Sequence, residues 1–337
     1  MKKEQNKKVK IGLALSSGGA RGGVHIGVIK VLREANIPID CLSGSSGGAI
    51  VAACYACGTL NRLEKVLKDM KLEDIVNFLD PHLSKESLIK GEKVLKFLRW
   101  LTDDKDFKEA GVPIYIMASD LKTGREVVFT KGKIARALLA SLCVPPLFKP
   151  VVRGKSLLVD GGLIHLLPVA ILKKHGCDIV IASTLEQKVF LSLEGDSRLI
   201  RTYKAIKEIK VEIKNKLLKV KEKTLRPEIL GKVNILKQIL REIVLEEEGK
   251  PLKKAEKYSF FQAILDCFDR GVTSPRVEEK MADIVIKTDV NGIRTFDLHR
   301  AYECIKRGER ETRKNLPKLK RLLRTTTGYP FNQEVHI

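Results

Sequence analysis

The sequence predicts an α/β fold, a layered domain on a mainly parallel central sheet, interrupted by a helical insertion. Three observations carry this. Short apolar runs of β type alternate with helix-period segments along most of the chain. Two glycine-rich stretches each stand between a strand and a helix. Between about residues 191 and 274 the apolar pattern turns purely helical. The expected organisation is an α/β domain formed by residues 1–190 and 275–337, with residues 191–274 as a basic, amphipathic helical insertion.

The elements follow in order. Val9–Leu15 (VKIGLAL) reads as a strand and Ser16–Gly23 as a glycine-rich loop. His25–Ala35 places Ile26, Ile29, Val31 and Leu32 at the spacing of a helix packed on a sheet. Ile37–Leu42 reads as a second strand, and Gly47–Cys57 as a helix of small residues. Two polar amphipathic helices are expected near 61–69 and 85–101. Val112–Ser119 (VPIYIMAS) is a buried strand, and Glu126–Thr130 is another after the turn Lys122-Thr123-Gly124. Ile134–Leu142 is a helix stopped by Val144-Pro145-Pro146. Leu157–Val159 leads into Asp160-Gly161-Gly162, and Asp178–Ser183 and Asp283–Lys287 complete the strands. Within the insertion, Leu199, Tyr203, Ile206, Ile209, Ile213, Leu217 and Val220 form one apolar stripe with lysines on the other faces. Ile229, Val233, Leu236, Leu240 and Ile243 form a short heptad-like seam, a candidate for pairing with another chain. Phe260, Phe261, Ile264, Leu265 and Phe268 give an aromatic helical face, and Leu298–Gly308 and Glu311–Leu323 are expected as two closing helices.

Composition narrows the function classes. With 44% apolar residues, the 337-residue chain can bury a substantial core. It carries 63 Lys and Arg against 41 Asp and Glu, a formal net charge of +22. Residues 1–10 contribute +4, residues 197–224 contribute +7 and residues 306–324 contribute +7. Such patches suit a polyanion, either nucleic acid or an anionic lipid surface. Only 5% of residues are aromatic and no nucleic-acid module is recognisable, so nucleic acid is not expected as a partner. The basic N-terminus is followed only by Ile11 to Leu15 before polar residues, too short for a signal peptide. The apolar run Ala49–Cys57 is about half the length a bilayer requires. A cytoplasmic protein without a spanning helix is expected, peripheral at the inner face of the membrane. The seven cysteines, odd in number, are expected as reduced thiols, with Cys54 and Cys57 in the core.

The chemistry starts at Leu42-Ser43-Gly44-Ser45-Ser46-Gly47-Gly48. A nucleophile elbow needs G-x-S-x-G, because the sharp strand-to-helix turn leaves no room for a Cβ two residues either side. Only Ser46 has glycine at both places, Gly44 and Gly48; Ser45 and Gly47 fill the intervening positions. The second stretch, Ser17-Gly18-Gly19-Ala20-Arg21-Gly22-Gly23, matches neither the dinucleotide fingerprint nor the Walker A loop. It does present backbone N–H groups at close range, as an oxyanion hole requires. The base is less clear from the residues. Asp160 stands at a strand's C-terminal end, where α/β sites lie, while His165 follows five residues later. Aspartate serves as a base only in a dry, preorganised site, and residue chemistry leaves both candidates open.

The runs LALSSGGARGGVHIGVIKVL, GSSGGAIVAA, ASDLKTGREVVF, ASLCVPPLF and LLVDGGL, in that order, resemble the patatin-like phospholipase family. The resemblance covers about residues 9–185 and resumes near 282–323. It implies a three-layer patatin-like domain and a Ser-Asp dyad without a catalytic histidine. Ser46 would be the nucleophile and Asp160 its base, with Gly161 and Gly162 completing the proton-acceptor loop. Gly18 and Gly19 would supply the oxyanion N–H groups, within a loop continuing through Ala20, Arg21 and Gly22, and Arg21 would hold that loop. Two positions depart from the family pattern. Ser17 replaces the first of three glycines, and His165 stands where asparagine is usual. His165 is read as structural, the alternative being that it orients the Asp160 loop.

The resulting expectation is a serine acyl hydrolase acting on ester bonds of phospholipids or lysophospholipids, with no metal or cofactor. The alternative is a membrane-associated regulator or scaffold with a vestigial site. The helix at 199–220 is expected to dock on an anionic membrane surface, and oligomerisation is expected, if at all, through 229–243.

Overall fold

The computed structural model describes residues 9–70, 91–144, 148–186, 275–293, 295 and 297–327. The insertion expected at 191–274, with its 199–220 stripe, 229–243 seam and aromatic face, lies outside these residues.

The core strand is β1 (Ile11–Leu15), with all five residues buried. Strand alternation splits its side chains between two faces. Ile11, Leu13 and Leu15 enter one hydrophobic core, while Ala14 enters a second on the opposite face. Beside β1 run β2 (Cys41–Ser45) and β7 (Ile179–Glu186), both parallel to it. β3 (Ile114–Asp120) extends the parallel sheet past β2, and β8 (Ile284–Asp289) extends it past β7. Three antiparallel strands complete the far side: β4 (Arg125–Phe129) and β6 (Ser156–Asp160) on β3, and β5 (Val151–Arg153) on β6. The order is β5-β6-β3-β2-β1-β7-β8, with β4 also on β3.

Helices cover both faces, giving the three layers that the family resemblance implies. The larger core receives α1 (Gly23–Glu34), α2 (Gly47–Cys57), α3 (Leu60–Asp69), α4 (Glu92–Leu101) and α5 (Ile134–Ser141). The smaller core receives α6 (Ala170–Lys174), whose Ile171 and Leu172 pack with Tyr115, Met117 and Val180. After β7 the described chain resumes at α7 (Pro275–Met281) and ends in α8 (Ala301–Thr327). No helix among the described residues is long and apolar enough to cross a membrane.

Two expectations change. The second strand lies at 41–45, not 37–42, because only there do β1 and β3 provide ladders on both sides. Ile37 and Ile39 are buried in the connection from α1, so their burial, not pairing, produced the strand-like pattern. The two closing helices are one, α8, which passes through Gly308 without a break. The sulfurs of Cys41 and Cys177 lie against one another, although their Cα atoms are 7.7 Å apart, beyond the usual span of a disulfide. They do so across Gly12, which pairs with Cys41 and whose missing side chain opens the space; a Cβ there would lie 2.8 Å from the Cys177 sulfur. Cys54, Cys57, Cys143 and Cys304 are free and buried.

Gly308 explains why α8 continues. α1 and α8 lie side by side and run in the same direction, from Gly23 beside Ala301 to Glu34 paired with Arg313 at 2.7 Å. Midway, Lys30 bridges Glu64 at 2.6 Å and Glu309 at 3.1 Å. The backbones touch where a methyl group on Gly27 would overlap the Ile305 carbonyl oxygen and approach the Glu309 amide nitrogen to 2.5 Å. A methyl on Gly308 would overlap the Val24 carbonyl oxygen. Alanine is the better helix former by about 1 kcal/mol, but here it must push two backbones apart. Gly27→Ala is therefore expected to lower unfolding free energy by about 1–3 kcal/mol in chemical denaturation; an unchanged or raised value would contradict the contact.

Candidate active site

One strand edge brings the two sites together. β4 occupies one edge of β3, overlapping both other partners in register, so β2 and β6 must share the opposite edge. β2 arrives parallel and stops with Ser45 beside Met117. β6 arrives antiparallel and stops with Asp160 beside Ala118, the next rung. The two strands meet end to end, and Ser46 and Asp160 are the residues at which the chain turns away.

At Ser46 the backbone takes φ 51° and ψ −120°, a conformation a non-glycine residue adopts only under constraint. Ser46 is buried, and its N–H donates to Ser141 Oγ at 2.9 Å. The glycine register has the expected steric origin. A Cβ on Gly44 would lie 2.6 Å from the Gly48 carbonyl oxygen, and one on Gly48 would lie 2.5 Å from the Leu15 and Ser16 carbonyl oxygens. Ser45 is a ladder residue of β2, and Gly47 opens α2.

Asp160 is buried at the start of a short 3-10 turn, Gly161–Leu163. Its Oδ1 accepts from the Gly162 N–H at 2.6 Å. Its main chain is pinned as well: the N–H donates to the Cys143 carbonyl at 2.8 Å, and the carbonyl accepts from Ser119 Oγ at 2.9 Å. Burial raises the carboxyl from the ordinary 3.8 to about 6, against the hydrogen bonds from Ser46 and Gly162 that favour the charged form. The Ser46 hydroxyl is close enough to exert that pull, yet Oδ2 has no hydrogen bond of good geometry. Catalytic contacts are often slack before substrate binds and tighten in the transition state.

The loop after β1 closes over the elbow. Gly19 has φ 55°, and its amide nitrogen lies 3.1 Å from where a Gly47 Cβ would stand. The Ala20 N–H donates to the Thr295 carbonyl at 2.8 Å and the Arg21 N–H to the Gly18 carbonyl at 3.1 Å. Those two amides are thus engaged, whereas Gly18 and Gly19 donate to no carbonyl among the described residues. Arg21 braces the loop through Nε to the Gly18 carbonyl (3.2 Å) and Nη2 to Thr295 Oγ1 (2.9 Å), and Gly22 packs on Gly47. Ser17, the departure from three glycines, donates its N–H to the Leu166 carbonyl at 2.8 Å. Its hydroxyl occupies the space over Gly162, so it ties this loop to that of Asp160.

Neither His165, the candidate histidine, nor the nearby His25 is left to serve as the base. His25 is fully buried beneath the loop. Its Nε2 faces the Ser16 carbonyl at 2.9 Å, which can only accept; Nε2 therefore carries the proton and Nδ1 accepts from Ser183 Oγ at 2.7 Å. Burial lowers its pKa to about 4, so the ring is neutral. The His165 ring holds Glu126 at 2.6 Å, with Glu278 at 3.9 Å beyond its other nitrogen, and the His165 main-chain N–H donates to the Gly161 carbonyl at 2.8 Å. Glu278 in turn accepts from the Val169 and Ala170 N–H groups at 2.8 Å each. His165 is thus part of the scaffold of the Asp160 turn. Sequence reading had not identified Ser141, His25, Thr295 or Glu278 as supports. His25 alone had a local signal, its place just after the glycine-rich loop.

Much of the chain is similar to known proteins. Residues 13–173 match the family model described as patatin-like phospholipase. An uncharacterized NTE family protein of Mycobacterium tuberculosis H37Rv is 35% identical over 176 residues, 52% of this chain and 49% of that protein. Human patatin-like phospholipase domain-containing protein 6 is 32% identical over 200 residues, 56% of this chain and 14% of that protein. The chain thus spans about half, or less, of the curated relatives it matches. Among solved structures, VipD from Legionella pneumophila shares the fold at a TM-score of 0.50 and 14% identity, over 93% of this chain and 67% of that one.

Two outcomes follow from the supports. Ser141→Ala leaves the Ser46 amide buried without its acceptor, and is expected to cost about 1–3 kcal/mol in chemical denaturation. A loss near zero would show that this hydrogen bond does not hold the elbow. The His165–Glu126 pair makes a pH-dependent contribution. His165 is raised, its burial outweighed by Glu126 and Glu278, so its share is fully present below about 6.5 and is lost as pH rises through its folded value. Glu126 is lowered by His165, so its share is present above 4.5 and is lost as pH falls through its folded value. Glu126→Gln should therefore destabilise more at pH 6 than at pH 9, by up to about 1 kcal/mol for so exposed a partner; equal effects at both would count against the pair.

Proposed function

We propose, for a chain that belongs to the patatin-like phospholipase family through residues 13–173, that it is a serine acyl hydrolase cleaving carboxylic ester bonds of phospholipids or lysophospholipids. The observation that carries the reading is the serine at a constrained strand-to-helix turn beside a buried aspartate whose pKa burial raises to about 6. That value matters because a carboxylate near its solution pKa of 3.9 is a weak base, whereas one near 6 accepts a proton readily and is still ionised at neutral pH.

In the proposed reaction Ser46 Oγ attacks the ester carbonyl and its proton passes to Asp160 Oδ2, while the Gly162 N–H holds Oδ1. The carbonyl oxygen, now an anion, is stabilised by the Gly18 and Gly19 N–H groups, each such donor contributing about 3 kcal/mol in the transition state. Collapse breaks the C–O bond; the alcohol leaves with the proton from Asp160 and the acyl group stays on Ser46. Water then adds to the acyl-enzyme, giving its proton to Asp160, and a second collapse releases the fatty acid and returns that proton to Ser46. The polar supports around the two turns keep the geometry in place through both halves. Docking of residues 199–220 on an anionic membrane and pairing through 229–243 remain part of the proposal.

The test is turnover of a short soluble ester. Ser46→Ala and Asp160→Asn are each expected to lower kcat by at least about 100-fold, the scale of a lost general base. For the unmodified protein, activity should fall with pH through an acid limb near 6, because only ionised Asp160 accepts the proton. Ser46 should react with a fluorophosphonate probe. Absence of labelling, or full activity in either variant, would leave the vestigial-site alternative.

A further inference from the structure

We propose that two hairpin tips beside the site form a cationic rim that docks the protein on an anionic phospholipid surface. This deepens the lipid-hydrolase reading and rests on it for the choice of surface. The rim consists of Lys122 and Arg125 at the β3–β4 turn and Arg153 and Lys155 at the β5–β6 turn, all exposed. The two turns are neighbours: Asp120 pairs with Arg125 on one side and Leu158 on the other. Its Oδ1 accepts from both the Lys122 N–H (3.1 Å) and the Leu157 N–H (3.2 Å), while Arg153 pairs with Ser156.

Position gives the patch its meaning. β3 runs onward from Met117 and Ala118, the rungs at the site, to Asp120 and the first turn. β6 starts near that turn and returns to Asp160. Both tips therefore project past the carboxyl end of the sheet, on the side where Ser46 and Asp160 lie. The local carboxylates do not neutralise them. Asp120 is buried and used within its turn, and Glu126 is held by His165. Apolar area is available too: Val152 is 65% exposed beside Arg153. Lysine and arginine on a short edge strand also protect it from pairing. That accounts for Arg153 and Lys155, and for Arg125 on β4, which pairs only with β3 among the described strands, but not for Lys122 in the turn nor for an exposed valine.

The second described cluster of positive charge is poorly placed for this task. On α8, Arg310, Lys314, Lys318 and Arg321 are exposed at steps of four, four and three. α8 leaves the site at Ala301 and runs beside α1 toward Glu34, so these residues lie at the opposite end of the domain. Equal charge at the two ends makes an internal control.

The experiment is co-sedimentation of the full chain with phosphatidylcholine vesicles, with and without phosphatidylserine. Each basic side chain near an anionic surface contributes about a fivefold factor in binding. Combining K122E, R125E, R153E and K155E is expected to weaken phosphatidylserine-dependent binding by at least about tenfold, while soluble-ester turnover and the thermal melt stay unchanged. Combining R310E, K314E, K318E and R321E should leave vesicle binding within about twofold. Vesicle binding unchanged in the rim variant overturns the proposal, as does equal loss in both variants. So does failure of the unmodified chain to bind anionic vesicles, or a rim-dependent DNA gel shift without vesicle binding. Because sedimentation needs no turnover, an inactive Ser46 would refute the hydrolase reading and leave the docking result readable.

Discussion

The end-to-end meeting of β2 and β6 on one edge of β3 is the constraint on which the site depends. A strand edge offers one ladder, and two strands entering from opposite ends must both stop at the rung where they meet. Neither chain can go straight on, so each turns sharply there. β2 turns through Ser46 into α2, and β6 turns through Asp160 into Gly161–Leu163. The crowding at the junction sets the residue types: a Cβ on Gly161 would overlap the Met117 carbonyl oxygen and lie 2.7 Å from Ser45 Oγ. The glycines around the site are thus consequences of strand geometry as much as of chemistry.

Burial acts with opposite sign on Asp160 at this junction and on His25 beneath the glycine-rich loop. It raises Asp160 to about 6 and lowers His25 to about 4, in each case disfavouring charge. For His25 the result is a fixed neutral tautomer that can brace the Ser16 carbonyl. For Asp160 a shift from 3.8 to about 6 means that ionising it in place costs about 3 kcal/mol more than in water. That cost is a load on the fold, and among the described residues packing and the Gly162 N–H offset it.

What was legible in the sequence was what depends on near neighbours in the chain. Glycine register picks Ser46 because the atoms that would collide with a Cβ at Gly44 or Gly48 belong to the elbow or to the loop beside it. The buried strand, expected at Val112–Ser119 and found at Ile114–Asp120, and the helices of the larger core follow from periodicity, whereas the short α6 on the other face does not. The proposed base does not, because Asp160, about a hundred residues along the chain, meets Ser46 only through adjacent rungs of a third strand. Only the family resemblance singled it out. Ile37 and Ile39 misled for a related reason: burial looks alike whether or not the backbone is paired. Gly308 reads as a helix end until its partner Val24 is seen, and Cys41 and Cys177 read as unrelated until Gly12 lies between them.

Geometry also decides how much chain the site needs. The family match ends at residue 173, yet several supports come from beyond it. Ser183 in β7 completes the hydrogen bonds of His25. Thr295 accepts from the Ala20 N–H and from Arg21, so it fixes the glycine loop from outside. Glu278 holds the start of α6, directly after the Asp160 turn, and its carboxylate is almost wholly buried. α8 packs its backbone onto α1, the helix that the loop feeds. β1 is a central strand only because β7 pairs along its other edge. Residues 13–173 therefore carry the proposed reacting groups while residues 179–186 and 275–327 hold them in place, and a fragment ending at 173 would expose the β7 side of β1 and leave the glycine-rich loop without its outer anchor.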